Sequence, residues 1–184
     1  MSDFKTYAQF LYTWEGGFVN NSSDRGGATN RGVTLATYKA FRGGEKTTAT
    51  DLRNMTRNEW NTIMQRNYWD RVNATAIKSQ AVANMLADWA VNSGPATAVK
   101  KLQRIVGTKV DGILGQDTLN AVNRTEPAVL FRALRQARLN FLEAITRRDP
   151  SQAIFLAGWT RRVKALRFRS FVLNDKTNTE IFFC

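Results

Sequence analysis

Residues 13–34 read TWEGGFVNNSSDRGGATNRGVT, and they place one acid, Glu15, between a predicted helix and a loop rich in Gly, Asn and Ser. Upstream, apolar residues recur at three- and four-residue spacing, which predicts an amphipathic helix with an apolar face of Phe4, Tyr7, Ala8, Leu11 and Trp14. We expect two features to favour the protonated form of the Glu15 carboxyl group: the unpaired carbonyls at the end of the helix and the apolar neighbours. A protonated carboxyl group can act as a general acid. The alternative is an exposed helix-terminal charge, the usual place of a glutamate.

The loop after the two glycines carries a second acid, Asp24, nine residues beyond Glu15. Segments of this composition turn tightly and present short polar side chains to a ligand. If the loop folds back as a hairpin beside the helix end, Glu15 and Asp24 flank one cleft, with Thr29 and Asn30 beside them. Two carboxyl groups across a cleft are the arrangement of glycoside hydrolysis, in which one protonates the leaving oxygen and the second group activates water or stabilises positive charge.

The string EGGFVNNSSDRGGATNRGVT strongly resembles the signature of glycoside hydrolase family 108, the N-acetylmuramidases that include phage endolysins and secretion activators. The resemblance extends to YWD at 68–70 and DWAVNSGP at 88–95. It implies a mainly helical, lysozyme-like fold with a small loop or short β-hairpin region after the first helix. It also implies that Glu15 is the catalytic acid.

The order Glu, Asp and Thr is also similar to that of phage-type lysozymes, and this match implies catalytic roles for Asp24 and Thr29 beside Glu15. The chain departs from many family relatives at Ser22 and Ser23, where a proline or another turn residue is expected. The departure leaves Asp24 in place.

Four residues are predicted to contact the substrate: Asn30, Tyr68, Trp69 and Asn92. For Tyr68 and Trp69 the alternatives are stacking on a sugar and simple packing in the core. For Asn92 the family resemblance implies a sugar contact, with Asp88 holding the cleft wall. The structural alternative is that Asp88 and Asn92, four residues apart on one helix face, bond each other or a neighbouring loop.

Composition narrows the chemistry, because the chain has no histidine and its single cysteine is the final residue, Cys184. Zinc sites draw on His and Cys, and nucleophilic triads usually need His as the base. The composition therefore argues against a zinc amidase, a metallopeptidase and a Cys-His peptidase, whereas it is compatible with carboxylate-based glycosidases. We expect no metal and no cofactor.

We expect two regions packed as one compact unit, a lysozyme-like catalytic region at 1–94 and a helical peptidoglycan-binding-like region at 95–184. The second contains VDGILGQDTLNAV at 110–122, which resembles the DGxxGxxT turn of small peptidoglycan-binding modules. A helix-linking turn that uses Asp and Gly for their backbone geometry is the alternative. The tail from Phe171 onward shows no clear period, and we expect it to pack back on the helices or to be partly disordered.

No apolar run is long enough for a membrane span, and the N-terminus lacks the pattern of a secretory signal. We therefore expect synthesis in the cytoplasm. Action on the cell wall would then need release or export through a holin pore or a secretion apparatus.

The net charge is +12, and residues 132–169 contain ten basic residues against two acidic ones. Such a field attracts polyanions, and adsorption to an anionic cell wall is our interpretation. The alternative is a solvated helix face kept basic for solubility. The stretch has no motif for specific nucleic-acid binding, such as interleaved aromatic platforms or zinc ligands.

These observations predict a peptidoglycan hydrolase that cleaves the β-1,4 bond between N-acetylmuramic acid and N-acetylglucosamine, with Glu15 as general acid. The alternative enzyme is a lytic transglycosylase, which needs one acid and no water. A non-catalytic wall-binding or secretion-associated protein is the alternative from another class. A basic nucleic-acid binder is a weaker one.

Overall fold

The computed structural model describes residues 1–20, 27–44, 46–174 and 177–182. It is mainly helical, with a small three-stranded antiparallel sheet after the first helix, which confirms the predicted fold class. The chain divides into two compact units. We call Phe4–Asn67 the N-terminal unit, and Met1–Asp3 together with Tyr68–Cys184 the helical unit.

The N-terminal unit combines short helices with the small sheet. Its core holds large side chains with almost no exposed surface, among them Tyr7, Leu11, Tyr38, Leu52 and Trp60. Along the chain its elements are α1 (Phe4–Trp14), β1 (Phe18–Val19), β2 (Thr29–Asn30), β3 (Val33–Thr34), α2 (Leu35–Arg42), α3 (Ala49–Arg53) and α4 (Arg57–Met64).

The sheet has the order β1-β2-β3, and β2 and β3 are joined by a two-residue turn. The turn residues Arg31 and Gly32 both have positive φ, at 46° and 76°. Positive φ at both central residues defines a turn whose twist matches that of the paired strands. The indole Nε1 of Trp60 donates a hydrogen bond to the Arg31 carbonyl at 2.9 Å, so α4 supports this turn.

Helix α4 begins at a capping box formed by Thr56 and Glu59, a pattern that is visible in the sequence. Helix α3 begins at a second capping box, in which Thr48 accepts from the Asp51 amide and the Asp51 carboxylate accepts from the Thr48 amide. Helices α2 and α3 were not predicted from the sequence. The capping box at Thr48 and the left-handed C-cap at Gly43 were available signals.

The chain enters the helical unit through a π-helical turn at Gln65–Trp69 and two 3₁₀ turns at Asp70–Val72 and Ala74–Ala76. The helices that follow are α5 (Gln80–Ser93), α6 (Pro95–Val106), α7 (Gln116–Arg124), α8 (Pro127–Arg148) and α9 (Ala153–Ala165), with a 3₁₀ turn at Pro150–Gln152.

Helix α5 forms the centre of the helical unit, and its residues from Met85 to Ala90 are all buried. It packs against α6 and α8, and α8 packs against α9. Because α5 shares a core with the later helices, the compact units divide after Asn67, and α5 lies with the C-terminal helices. The assignment of function to regions 1–94 and 95–184 stays a prediction.

A buried ion cluster joins three of these helices. The Asp88 carboxylate of α5 accepts from Arg138 Nη2 of α8 at 2.7 Å and from Arg162 Nη2 of α9 at 2.9 Å, and all three side chains are buried. Burial by itself would raise the pKa of Asp88, but the two guanidinium groups hold that pKa below its ordinary value. Two of the ten basic residues in 132–169 are therefore part of the interior, which corrects the reading of this stretch as one surface field.

The DG turn after α6 is organised by Gln103, which is fully buried. Its Nε2 donates to Asp111 Oδ1 at 2.8 Å and to Thr118 Oγ1 at 3.3 Å, and its Oε1 accepts from the Gly112 amide at 2.9 Å. Gly112 has a φ of 84°, and a Cβ there would lie 3.3 Å from the Ala96 carbonyl oxygen. The conformation of the turn is thus fixed by the backbone geometry at Gly112 and by the buried side-chain amide of Gln103.

The C-terminal tail contains an antiparallel hairpin of β4 (Arg169–Asn174) and β5 (Thr177–Phe182), in which Arg169 pairs with Phe182 and Asn174 with Thr177. This hairpin was not predicted from the sequence. The β-branched residues of β5 and the polar segment between the strands were its signal. Among the helices that the structure describes, none combines the length and the apolar character needed to cross a membrane.

Candidate active site

Glu15 is the first residue after α1, and its amide donates to the Leu11 carbonyl at 3.1 Å. Its side chain is half-buried and reaches the turn between β2 and β3. A Cβ placed on Gly32 would lie 2.6 Å from Glu15 Oε2 and 3.3 Å from its Cδ. The carboxyl group therefore lies directly against the backbone of Gly32.

Helix α4 also reaches this point, because the Met64 methyl carbon lies 3.4 Å from the same Cβ position on Gly32. Met64 itself is buried. The Glu15 carboxyl thus lies beside peptide backbone and close to a thioether methyl group, while part of the side chain stays open to solvent. Because the side chain is only partly buried, its carboxyl group is accessible to a bound molecule, which general-acid catalysis requires.

A cluster of cations and aromatic rings holds the hairpin turn beside α1. The guanidinium carbons of Arg31 and Arg57 lie 3.9 Å and 3.4 Å from the centre of the Tyr12 ring. Arg57 also donates to the Ala8 carbonyl at 3.2 Å, and the Tyr12 and Trp60 rings meet edge to face at 5.0 Å. Such contacts contribute about 0.5–2 kcal/mol each. This cluster was not predicted, because no local pattern in the sequence indicates that Arg31 and Arg57 meet at one ring.

Thr29 and Asn30 lie in β2, next to the turn that carries Gly32. Thr29 is half-buried and is paired with Val19 and Thr34 across the sheet. Asn30 is buried, and its amide nitrogen donates to the carbonyls of Leu52 and Arg53 at 2.8 and 3.2 Å. The amide of Asn30 thus holds the sheet onto α3, and its predicted contact with sugar stays a prediction.

Asp24, the predicted second acid, lies outside the described residues. Two other acids of the N-terminal unit make structural contacts. Asp51 and Glu59 both complete capping boxes, and Glu59 also forms an ion pair with Arg42. The role of Asp24 as the second carboxyl group stays a prediction.

The other predicted substrate residues, Tyr68, Trp69 and Asn92, belong to the helical unit. Trp69 has no exposed surface, and its indole Nε1 donates to Thr75 Oγ1 at 2.8 Å. The structure therefore gives Trp69 the core-packing role, because a ring without exposed surface offers no face to a sugar. Tyr68 is half-buried, and Asn92 is exposed, with its Oδ1 accepting from Arg138 Nη2.

If Glu15 is the predicted catalytic acid, Gly32→Ala should lower the rate of wall lysis by up to about 10²-fold, because the new methyl group would displace the Glu15 carboxyl group. The left-handed backbone at this position adds a loss of about 1–2 kcal/mol in the free energy of unfolding. Turbidity loss of a wall suspension measures the first effect, and thermal unfolding measures the second.

Gly43→Ala is the matched control, because Gly43 has a similar φ of 72° but no atom within 4 Å of its Cβ position. It should show a similar loss of stability and keep full lysis. Equal loss of lysis in both variants would show that general destabilisation, and not the contact with Glu15, causes the effect.

A mainly helical fold with a half-buried acid at the end of its first helix, set against a small hairpin, defines a lysozyme-like class of protein. Residues 8–94 match the family model described as Glycosyl hydrolase 108, and residues 97–164 match the one described as Predicted Peptidoglycan domain. The chain is similar to SagA of Brucella abortus, with 35% sequence identity, a TM-score of 0.74 and coverage of 89% of this chain and 90% of that one. No curated protein matches it.

The chain therefore belongs to the glycosyl hydrolase 108 family. The matches support a role in peptidoglycan hydrolysis or binding, with peptidoglycan as the partner and the cell wall as the place of action. The family indicates a glycosidase.

Proposed function

We propose that the protein is an N-acetylmuramidase that cleaves the β-1,4 bond between N-acetylmuramic acid and N-acetylglucosamine, with Glu15 as the general acid. The main support is the placement of the Glu15 carboxyl, which lies half-buried against Gly32 at the junction of α1, the hairpin and α4. Membership of the glycosyl hydrolase 108 family agrees with this role.

Glu15 would give its proton to the glycosidic oxygen as the bond breaks, and the sugar would pass through an oxocarbenium-like transition state. The contact with Gly32 limits the positions that the carboxyl can take, so the proton donor is held in place before the substrate binds. Asp24, with Thr29 beside it, would activate the attacking water or stabilise the positive charge. Carboxyl groups about 6.5–9.5 Å apart would make the enzyme inverting, and a separation of about 5–5.5 Å would allow a covalent intermediate.

In this proposal residues 97–164 hold peptidoglycan glycan strands for the catalytic residues, as the matched domain suggests. The basic residues of 132–169 that remain exposed, such as Arg132, Arg147 and Arg161, would favour adsorption to an anionic wall. Passage to the wall would use a holin pore or a secretion apparatus.

The mass of the products tests the reaction type. We expect digestion of purified sacculi to release fragments that each contain one added water molecule, with a reducing N-acetylmuramic acid end. Anhydromuramyl ends without added water would contradict hydrolysis and support a lytic transglycosylase. Binding of sacculi without any release of soluble fragments would contradict both and support a wall-binding protein.

Comparison of the activity of Asp24→Asn with that of the wild type distinguishes hydrolysis from lytic transglycosylation independently of the product mass. An inverting hydrolase needs the second carboxyl group to activate water, so its rate should fall by about 10²–10⁴-fold in this variant. Full activity of Asp24→Asn would contradict the two-carboxylate mechanism.

A further inference from the structure

Arg31 occupies a backbone position that an arginine rarely takes. It is the first central residue of the turn between β2 and β3, and its φ is 46°. Asn, Asp and Gly are the usual residues at such a position, because glycine has no Cβ and the short side chains of the other two can hydrogen-bond locally. Unfavourable backbone conformations are concentrated at binding and active sites. An arginine in this place therefore indicates a role for its side chain.

The half-buried Arg31 side chain makes a ring contact and keeps its hydrogen-bond donors available. Its guanidinium carbon lies 3.9 Å from the centre of the Tyr12 ring. Within the described part of the chain, no oxygen atom accepts a hydrogen bond from its guanidinium nitrogens. A guanidinium group carries five N–H donors in a planar fork that matches the two oxygens of a carboxylate. The Tyr12 ring thus holds such a fork in a position where a ligand can reach it.

A second cation adds to the positive potential at this ring. The guanidinium carbon of Arg57 lies 3.4 Å from the same ring centre, so the two cations are no further apart than the sum of the two distances. Arg57 donates to neutral oxygens, Asn61 Oδ1 and the Ala8 carbonyl, both at 3.2 Å. Among the described residues, no acid forms an ion pair with either arginine. Two like charges this close together attract an anion.

The pair of arginines lies beside the proposed proton donor. Arg31 directly precedes Gly32, and the Glu15 carboxyl group lies against the backbone of Gly32. Tyr12 precedes Glu15 by three residues at the end of α1, a spacing that makes side chains neighbours on a helix surface. An anionic group bound to Arg31 would therefore lie close to the bond that Glu15 is proposed to protonate.

We propose that Arg31 binds a carboxylate of the glycan ligand and so selects strands that carry an anionic group beside the cleaved bond. The assignment of this carboxylate to the substrate rests on the proposed function. N-acetylmuramic acid carries a lactyl group whose carboxyl is either free or joined to a peptide. The carboxylate is therefore that of the lactyl group itself or that of the attached peptide.

Calorimetric titration of full-length Glu15→Gln protein measures this binding without cleavage. The probes are a tetrasaccharide of alternating N-acetylglucosamine and N-acetylmuramic acid, its neutral methylamide at the lactyl carboxyls, and a form with alanine joined to the lactyl groups. We expect at least one charged probe to bind about tenfold more tightly than the methylamide. The tighter of the two charged probes identifies the source of the carboxylate. Equal binding of all three probes, or binding of none, would overturn the proposal.

Arg31→Asn in the same background tests the residue. Asparagine suits the positive φ, and the bond from Trp60 goes to the backbone carbonyl of residue 31, so the turn is retained. Loss of the ring contact and relief of the backbone strain should nearly cancel, and we expect Tm to stay within about 2 °C of the parent. The preference for the charged probe should disappear, while the affinity for the methylamide stays the same. Retained preference, or an equal fall in affinity for all three probes, would contradict a carboxylate site at Arg31.

The matched control is Arg53→Asn. Arg53 is exposed, and its guanidinium carbon also lies on an aromatic ring, 4.5 Å from the centre of Phe18, but it belongs to α3 and not to the turn that contacts Glu15. This variant loses the same charge and should keep the preference for the charged probe. Equal losses in the Arg53 and Arg31 variants would show that net charge attracts the carboxylate, which would overturn the proposal.

Release of fragments from sacculi by the wild-type protein tests the proposed function separately. A protein that prefers the charged probes but releases no fragments would keep the carboxylate site and lose the proposed function. Hydrolysis of sacculi without any preference among the probes would keep the proposed function and overturn the site.

Discussion

Glu15→Gln is expected to lower the rate of wall lysis by about 10²–10⁴-fold, the usual contribution of a general acid. The amide keeps the shape of the side chain against Gly32 but has no acidic proton to give to the leaving oxygen. Release of soluble fragments from purified sacculi measures the effect. The thermal unfolding of the variant should match that of the wild type, because the packing of α1 on the hairpin is retained.

Glu143→Gln is the control for this variant, since Glu143 is exposed on α8 and pairs only loosely with Arg147, at 3.7 Å. Its lysis rate should remain that of the wild type. Retained lysis in folded Glu15→Gln protein would remove the assignment of Glu15 as the acid. Loss of lysis together with unfolding would show that Glu15 stabilises the fold.

Asp88→Asn is expected to cause the largest loss of stability, about 3–5 kcal/mol in the free energy of unfolding. The substitution removes the carboxylate that Arg138 and Arg162 share, so the buried Arg138 guanidinium group loses the ion pair that it makes within the described part of the chain. Urea unfolding measures the loss. Asp117→Asn on α7 is the exposed control, and it should change the stability by less than about 1 kcal/mol.

The pH dependence of unfolding gives a second readout for the same group. The pKa of Asp88 is lowered in the folded protein, so its contribution to stability is present above the ordinary Asp value of about 3.9 and is lost as the pH falls through the folded pKa. The wild type should therefore lose stability on acidification below about pH 4 more steeply than Asp88→Asn. Parallel curves for the two proteins would mean that the ion cluster does not stabilise the fold.

Local features of the sequence were sufficient to predict the mainly helical class and several helix ends. Each of these signals acts within one helical turn, and in the structure each lies at a helix boundary: Thr56 with Glu59, Ser79, the Gly94 and Pro95 pair, and Gly107. The end of α1 before Glu15 was predictable for the same reason. Such signals need no information from distant parts of the chain.

Interactions between distant residues were not predictable in this way. The contact between Gly32 and Glu15 depends on how the hairpin folds. Nothing in the sequence indicates that the two turn residues with positive φ lie beside the first helix. The sequence around Trp69 is compatible with a place in a cleft and with a place in the core. Only the burial of the side chain in the folded protein distinguishes the two. Asp88 was recognised as one of a pair with Asn92, but its partners lie 50 and 74 residues further along the chain.

The sequence by itself determined the fold class, the family signature and the acid on which the proposed chemistry depends, because capping, periodicity and a contiguous motif are local properties. Only the tertiary structure decided what surrounds that acid, which aromatic side chains are buried, and which arginines belong to the interior. Burial and charge pairing depend on the packing of helices that are far apart in the chain. For this reason the contacts of Gly32, Arg57 and Arg138 could be identified only in the folded molecule.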